Sequence, residues 1–111
     1  MMSYTYEGGI IEADEEGFIT DTGLWSPKLA LQIAQRESIR MSDDHWEVVN
    51  FLRNYYMEYQ ITPGMRVLIK ALGKVLGPGK GNSKYLYELF PDGPVRQAGK
   101  IAGLPKPTNC M

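Results

Sequence analysis

The only cysteine of this 111-residue chain, Cys110, lies one residue before the C-terminus. Pro105 and Pro107 precede it at alternate positions. Because proline fixes φ and lacks an N–H donor, this segment can neither continue a helix nor join a sheet interior. We therefore expect an extended, flexible C-terminal arm over residues 103–111, with Gly103 as the hinge or helix stop where it begins. A thiol on such an arm can reach into the site of a partner protein.

The charges around this thiol have opposite effects on its ionisation. Only the thiolate attacks sulfur, and Lys100 and Lys106, which are close in sequence, would favour that ionised form. The terminal carboxylate of Met111 would disfavour it. A simpler interpretation of the segment is also open, because chain ends commonly fray: the arm is then a tail in which Cys110 is incidental.

Other residues that could do chemistry form no recognisable site. The glycine-rich stretch 77–83 lacks the spacing of a phosphate-binding loop and follows a predicted helix, so it is interpreted as a connector. His45 is the only histidine and has no cysteine or carboxylate ligands at suitable spacing, which favours a structural role. The acidic run 14–16 is typical of a solvated turn. The sequence thus predicts no metal and no cofactor.

Composition sets the class of protein. With 43% hydrophobic residues and no apolar run of about 18, the chain is expected to be one globular domain, residues 1–111, without a membrane span. A lone reactive thiol is best preserved in a reducing compartment, which favours the cytoplasm.

The net charge of −1 hides an asymmetry: residues 1–60 carry 11 acids and 4 bases, whereas residues 61–111 carry 2 acids and 8 bases. A basic half suits an acidic partner surface or RNA phosphates, unless the two halves neutralise each other on folding.

Local patterns predict an α+β fold, with a short N-terminal hairpin followed by about five helices and the arm. Residues 3–7 are β-prone, and residues 10–12 and 17–20 flank a polar turn, which indicates a hairpin. Serine, threonine or asparagine caps, two of them followed directly by proline, open four of the helices, and Gly93-Pro94 opens the fifth. The expected helices are 27–37, one beginning after Ser42, one opened by Thr62 and Pro63 and ending near Leu76, 83–90, and 94–102.

Two helical stripes have different interpretations. The stripe of the second helix is expected to form core; its members are His45, Val48, Val49, Leu52, Tyr55, Tyr56 and Tyr59. A basic stripe, Arg66, Lys70 and Lys74 with Lys80 and Lys84 beyond it, allows an alternative function: a helix-turn-helix-like nucleic-acid-binding regulator. The long turn after Leu76 and the acidic net charge argue against that alternative.

Four strings carry a resemblance to a known family, in that family's order. They are His45 to Val49, Gly81 to Pro91, Gly93-Pro94, and Lys100 to Met111. Together they resemble the TusE/DsrC family of sulfur carriers, and the likeness runs from about Glu7 to the end of the chain. The resemblance implies that Cys110 accepts sulfur as a persulfide and passes it on, as the catalytic residue of a sulfurtransferase or carrier without a cofactor.

The resemblance also indicates a branch of the family. Two-cysteine DsrC proteins carry a second thiol at the position that is Gly99 here. A disulfide or trisulfide within one chain is therefore impossible, and a DsrC-like role in sulfite reduction or sulfur oxidation becomes the alternative. The single-cysteine pattern is similar to the TusE branch. It implies upstream sulfur-donor relay proteins, a downstream acceptor such as a tRNA thiouridylase, weak tRNA contact, and a route toward 2-thiouridine. An arm that only docks, with an incidental thiol, is a third hypothesis.

Overall fold

A computed structural model describes residues 2–6 and 9–106 of the chain. It begins with two antiparallel strands, β1 (Met2–Tyr6) and β2 (Gly9–Ala13). A short 3₁₀ turn (Thr22–Leu24) follows. Five helices complete the fold: α1 (Pro27–Arg36), α2 (Asp43–Tyr59), α3 (Met65–Leu76), α4 (Ser83–Leu89) and α5 (Pro94–Ile101). The predicted hairpin followed by five helices is confirmed.

The pairing within the hairpin differs from the prediction. We expected residues 10–12 to pair with residues 17–20, but β2 pairs with β1, and Tyr4 lies opposite Ile11. Between β2 and the later stretch there is only an isolated bridge, from Ala13 to Ile19. The β-prone segment that precedes residue 9, not the one that follows the acidic run, supplies the partner strand.

The turn after β2 explains why the second ladder does not extend. The Asp14 carboxylate accepts hydrogen bonds from the backbone N–H groups of Glu16 (2.9 Å) and Phe18 (3.0 Å). The Asp14 N–H in turn donates to the Phe18 carbonyl at 2.8 Å. These bonds close the turn locally, and Phe18 and Ile19 then enter the core. Residues 17–20 therefore contribute one bridge and two buried side chains, and they do not form a third strand.

Helix starts follow the capping chemistry in most cases. Ser26 caps α1, with Pro27 in the first turn, and Ser42 forms a reciprocal capping box with His45 at the start of α2. The predicted start of α3 was wrong. Thr62 and Pro63 do not open the helix, because Gly64 is still extended (φ −72°, ψ 171°) and α3 begins at Met65 without a side-chain cap.

The core surrounds α5, which contacts each of the other four helices. Six of its eight residues are buried. The α2 stripe contributes as predicted through Val48, Val49 and Leu52, which are fully buried, whereas Tyr59 at its end is 56% exposed. The central position of α5 means that its C-terminal end, from which the arm departs, is fixed by the whole domain. No helix in the described part of the chain is both long and apolar enough to cross a membrane.

Candidate functional site: the base of the C-terminal arm

The described part of the candidate site lies at the C-terminal end of α5. Cys110 itself lies outside the described residues, as do all positions after 106. The predicted arm, residues 103–111, can therefore be followed only over its first four residues. Gly103 and Leu104 are buried and Pro105 and Lys106 are exposed. The arm thus begins inside the domain and reaches the surface at Pro105.

Gly103 ends α5 in a Schellman motif. Its N–H donates to the Lys100 carbonyl (3.1 Å), and the Leu104 N–H donates to the Gly99 carbonyl (3.0 Å). The motif requires a left-handed residue, and Gly103 has φ of +72°. The predicted helix stop at Gly103 is confirmed. A free hinge at this position is not, since Gly103 is buried in the packed end of the helix.

Two side chains hold the last carbonyls of α5. The Trp25 indole N–H donates to the Ile101 carbonyl at 2.8 Å, and an Arg53 guanidinium N–H donates to the Ala102 carbonyl at 2.8 Å. The guanidinium also stacks over the Trp25 ring, 4.1 Å from its centroid. We call Trp25 and Arg53 the arm-base clamp. A cation at this end of α5 is matched to the negative end of the helix dipole, although partial burial lowers the pKa of Arg53.

The clamp packs so closely on Gly103 that no side chain fits there. A Cβ atom at this position would lie 2.4 Å from Cδ1 of Trp25 and 2.9 Å from Cβ and Cγ. Carbon atoms that are not bonded normally stay more than 3 Å apart. Glycine is therefore required twice, by the backbone conformation and by the indole.

The two lysines expected to assist the thiol are paired with carboxylates. Lys100 is 6% exposed, and its ammonium group lies 3.0 Å from a carboxylate oxygen of Glu37. Gln97 donates to the other carboxylate oxygen of Glu37 at 3.2 Å. Lys106 forms an ion pair with Glu16, which also pairs with Arg96. The structure therefore places Lys100 in the core and Lys106 on the rim of the domain, and neither is an uncompensated charge.

Gly99, the position that the resemblance assigned to a second thiol in two-cysteine proteins, lies in the last turn of α5 and is buried. No atom of the described residues outside its own stretch of helix would come within 4 Å of a Cβ atom placed there. Sterically, the position would accept a small side chain. The lack of a second thiol is thus a property of the sequence and not a demand of the packing.

The other sequence candidates have structural roles. His45 Nδ1 lies 3.1 Å from the Ser42 nitrogen, its Nε2 lies 2.9 Å from the Leu89 carbonyl oxygen, and its ring packs edge-on against Phe90. Among residues 2–6 and 9–106, no three or more His, Cys, Asp or Glu side chains form a group that could hold a metal ion. The predicted structural role of His45 is confirmed.

The stretch 77–83 is a connector, as predicted. Lys80 lies between Asp44 (3.2 Å) and Glu47 (2.6 Å) of α2, and these partners raise its pKa. Gly81 packs directly on the backbone of α3 at Gly73. The lysine that a phosphate loop would use is therefore tied to two carboxylates.

The basic stripe divides into two parts. Arg66, Lys70 and Lys74 are exposed on α3 and Lys84 is exposed on α4, whereas Lys80 belongs to the ion-pair cluster with α2. The stripe is therefore shorter than the sequence indicated.

Sequence reasoning missed Trp25 and Arg53. Trp25 directly precedes the cap of α1, and Arg53 is a single cation within an aromatic stripe. Their partners are backbone carbonyls near the far end of the chain, and backbone carbonyls leave no residue-type signal. The only indication in the sequence of a special role for Arg53 was its charge next to aromatic residues.

Comparison with known proteins places these features in a family. The family model described as "DsrC like protein" matches residues 5–111. Two relatives named "Sulfurtransferase TusE", from Escherichia coli strain K12 and Salmonella typhimurium, are each 51% identical over 106 residues, covering 96% of this chain and 97% of theirs. The solution structure of Allochromatium vinosum DsrC covers 99% of this chain and 100% of its own, with a TM-score of 0.90 at 49% identity. The oxidised DsrC gamma-subunit from Archaeoglobus fulgidus has the same coverage, with a TM-score of 0.89 at 35% identity. The chain belongs to the DsrC-like protein family.

Proposed function

We propose that this protein is a sulfur carrier of a sulfur relay and that Cys110 is the residue that bears the sulfur. The observation that carries the proposal is the family match, which runs through Cys110 to residue 111, together with 51% identity to proteins named sulfurtransferase over nearly the whole chain. The arm base supports it, since the last described residues lead the chain from the buried end of α5 to the surface.

The chemistry is an exchange of one sulfur atom. The Cys110 thiolate attacks the outer sulfur of a donor's cysteine persulfide, the sulfur–sulfur bond of the donor breaks, and the donor cysteine leaves as a thiolate. Cys110 then carries the persulfide. An acceptor thiolate repeats the same attack and releases Cys110. No electron is gained or lost overall, so the step needs neither a metal nor a redox cofactor.

The single thiol selects among the family's functions. With glycine at position 99, one chain cannot form an internal disulfide or trisulfide through that position. The relatives named TusE therefore fit better than the DsrC-like role in sulfite reduction or sulfur oxidation, which is the alternative. The proposed route leads toward 2-thiouridine in tRNA, with sulfur-donor relay proteins upstream and a tRNA thiouridylase as the acceptor.

The remaining assignments belong to the same proposal. Residues 1–111 act as one unit whose arm, 103–111, presents the thiol. The reducing cytoplasm is the compartment in which a free thiol is maintained. Contact with tRNA is weak and runs through exposed cations such as Arg66 and Lys70.

A reconstituted relay tests this function. Cysteine labelled with radioactive sulfur is supplied to a cysteine desulfurase, the Escherichia coli relay proteins, this chain, a tRNA thiouridylase and tRNA. We expect label to reach tRNA only when this chain is present and to stop in Cys110→Ser. Label that reaches tRNA equally well without the chain, or through Cys110→Ser, would contradict the proposal.

The second candidate, nucleic-acid binding as a regulator, is favoured only by exposed cations, three on α3 and Lys84 on α4. Its binding would be salt-sensitive and indifferent to Cys110. Tight DNA binding at physiological salt by Cys110→Ala would select it.

A further inference from the structure

The surface between α2 and α3 carries an aromatic row that the core does not bury completely. A depression of about 260 Å³ follows this surface, with Ala71 of α3 on its far side. Phe51, Tyr55 and Tyr59 line it, each one helical turn after the last. The ring centroids are 6.2 Å apart for the first pair and 4.6 Å apart for the second, and Tyr59 is 56% exposed. The three rings thus form a continuous apolar wall on the surface of α2.

Helix α3 supplies a second apolar row. Val67 and Val75 lie one turn before and one turn after Ala71, and they are 47% and 65% exposed. Both helices pack on α5 and make little contact with each other, so the two rows stay apart. Between them lies the α2–α3 groove, which is bounded by Phe51, Tyr55, Tyr59, Val67, Ala71 and Val75. An exposed apolar surface of this kind, rimmed by polar residues, is typical of an interaction site.

Three cations follow the α3 side of this groove. Around the helix axis, Lys70 and Lys74 lie beside the valine row, on the side opposite the buried Leu72. Arg66 lies one turn before Lys70. All three cations are exposed, and none takes part in an ion pair between described residues. Within the described part of the chain, this edge is therefore a line of positive charge without a carboxylate partner.

The α2 side of the groove carries little charge. Glu58 is the one charged residue among those that line the depression. Farther along α2, Asp44 and Glu47 are paired with Lys80. The two sides of the groove together therefore present three cations against the single carboxylate of Glu58, and a complementary occupant must be acidic.

The walls of the groove also select the shape of the occupant. The backbone groups within α2 and α3 are bonded inside their own helices, so the groove offers no ladder of donors and acceptors to an extended peptide. An amphipathic helix satisfies its own backbone and can place one apolar face between the two rows. A nucleic acid fits less well, because its phosphates would meet Glu58. A second copy of this chain would bring the same excess of cations.

We propose that the α2–α3 groove is a docking site for an amphipathic helix of a partner protein in the relay, with acidic residues flanking the apolar face of that helix. The role in the relay rests on the proposed function, whereas the binding chemistry does not. The partner's apolar side chains contact the aromatic row and the valines, and its carboxylates pair with Lys70 and Lys74. Aromatic residues often dominate the binding energy of such contacts, and charges at the edge set specificity and association rate.

Two synthetic helical peptides of about 18 residues, or five turns, test the chemistry. Both have a leucine face, which is flanked by glutamates in one peptide and by lysines in the other. Fluorescence anisotropy measures their binding to the full-length chain and to Cys110→Ser. We expect the glutamate peptide to bind both proteins equally well and at least about fivefold more tightly than the lysine peptide, and we expect this difference to shrink at high salt. Equal affinity for the two peptides would overturn the proposal.

Matched variants assign this binding to the groove. Tyr59→Ser should weaken the glutamate peptide by at least about fivefold, whereas Tyr87→Ser, at a similarly exposed position on α4, should not. Lys74→Glu should weaken the glutamate peptide and strengthen the lysine peptide, whereas Lys28→Glu on α1 should change neither. All four positions are exposed, so the fold should tolerate each substitution. Control variants that lose as much as the groove variants would contradict a site in this groove.

Sulfur transfer from a persulfide-loaded protein donor then tests the role in the relay. Tyr59→Ser and Lys74→Glu should raise KM by at least about fivefold and leave kcat unchanged, because docking is weakened and the chemistry is not. A KM that stays the same in both variants would overturn docking of a relay partner here. Sedimentation that shows a dimer, lost in Tyr59→Ser, would assign the groove to a second copy and overturn it as well. If the unmodified chain takes up no sulfur, the proposed function fails, and peptide binding alone decides on the groove.

Discussion

The indole nitrogen of Trp25 lies 2.8 Å from the carbonyl oxygen of Ile101, a residue 76 positions later in the chain. This bond connects the segment just before α1 to the last turn of α5, and it sets the point from which the C-terminal arm departs. Its partner Arg53 comes from α2. Three elements that are distant in sequence therefore meet at the base of the arm.

Replacement of Gly103 by alanine should destabilise the protein by about 2 kcal/mol or more. The left-handed conformation costs a residue with a side chain about 1–2 kcal/mol, and the added methyl group would overlap Trp25. Urea unfolding measures the change. Gly79→Ala is the control, because no described atom would lie within 4 Å of a Cβ atom added at Gly79, and the φ of Gly79 is not positive. Equal stability of the two variants would show that the clamp does not press on Gly103.

Alanine substitutions at two further glycines should change the free energy of unfolding in opposite directions. Gly99→Ala is expected to raise the free energy of unfolding by about 0.5–1 kcal/mol, because alanine is favoured over glycine in helices and the site has room. Gly81→Ala is expected to lower it by about 1–3 kcal/mol, because its Cβ would lie 2.4 Å from the backbone of Gly73. Thermal unfolding of both variants checks the pair, and a stabilised Gly81→Ala would contradict the packing described here.

Lys100 should prove structural. Lys100→Met leaves the Glu37 carboxylate without its nearest cation in a mostly buried site, which should cost about 1–3 kcal/mol of stability. Because the ammonium group is committed to Glu37, the alkylation rate of Cys110 should stay the same. Lys84→Met, at an exposed position, serves as the control. An alkylation rate that falls while stability is retained would instead make Lys100 an electrostatic helper of the thiol.

Ionisation of the Tyr4 hydroxyl at alkaline pH should lower the stability of the fold at the hairpin. Burial raises the pKa of Tyr4 above its ordinary value of 10, an effect that the nearby Arg36 only partly offsets. In the folded state its hydroxyl donates to the Gly17 carbonyl at 2.7 Å. Since the folded pKa exceeds the unfolded one, this contribution to stability is complete below about pH 10 and is lost as pH rises through the folded pKa.

The ultraviolet absorbance of phenolate in an alkaline titration checks this prediction. Tyr4 should ionise after the exposed tyrosines and together with unfolding. Tyr4→Phe should shrink that late step, to which Tyr85 also contributes because burial raises its pKa as well, and should make stability less dependent on alkaline pH. Ionisation of all seven tyrosines in one step at their ordinary pKa would contradict it.

The sequence predicted the helices because their signals are local. Ser26, Ser42 and Asn82 each cap the helix that follows, and their side chains accept the backbone bonds expected of them. Gly103 likewise ends α5. The start of α3 was misjudged because proline is also common just outside a helix, and Gly64 extends the chain by one more residue.

The remaining features depend on contacts between distant segments, for which single residues carry little signal. Strand pairing was assigned wrongly because both 3–7 and 17–20 are β-prone, and only the folded chain shows that β2 pairs with β1. Lys100 was expected near the thiol because it is near in sequence, yet its side chain points to Glu37 of α1's C-terminal cap. Cys110 was singled out by its uniqueness, whereas the clamp that fixes its arm emerged only from the fold.

The most direct test of the central claim is the intact mass of the protein after incubation with a cysteine desulfurase, cysteine and the relay donor proteins. We expect the gain of one sulfur atom, which a reductant removes and which is absent in Cys110→Ser. A mass that stays unchanged with an active donor, or an added sulfur atom that persists in Cys110→Ser, would contradict a carrier that works through Cys110.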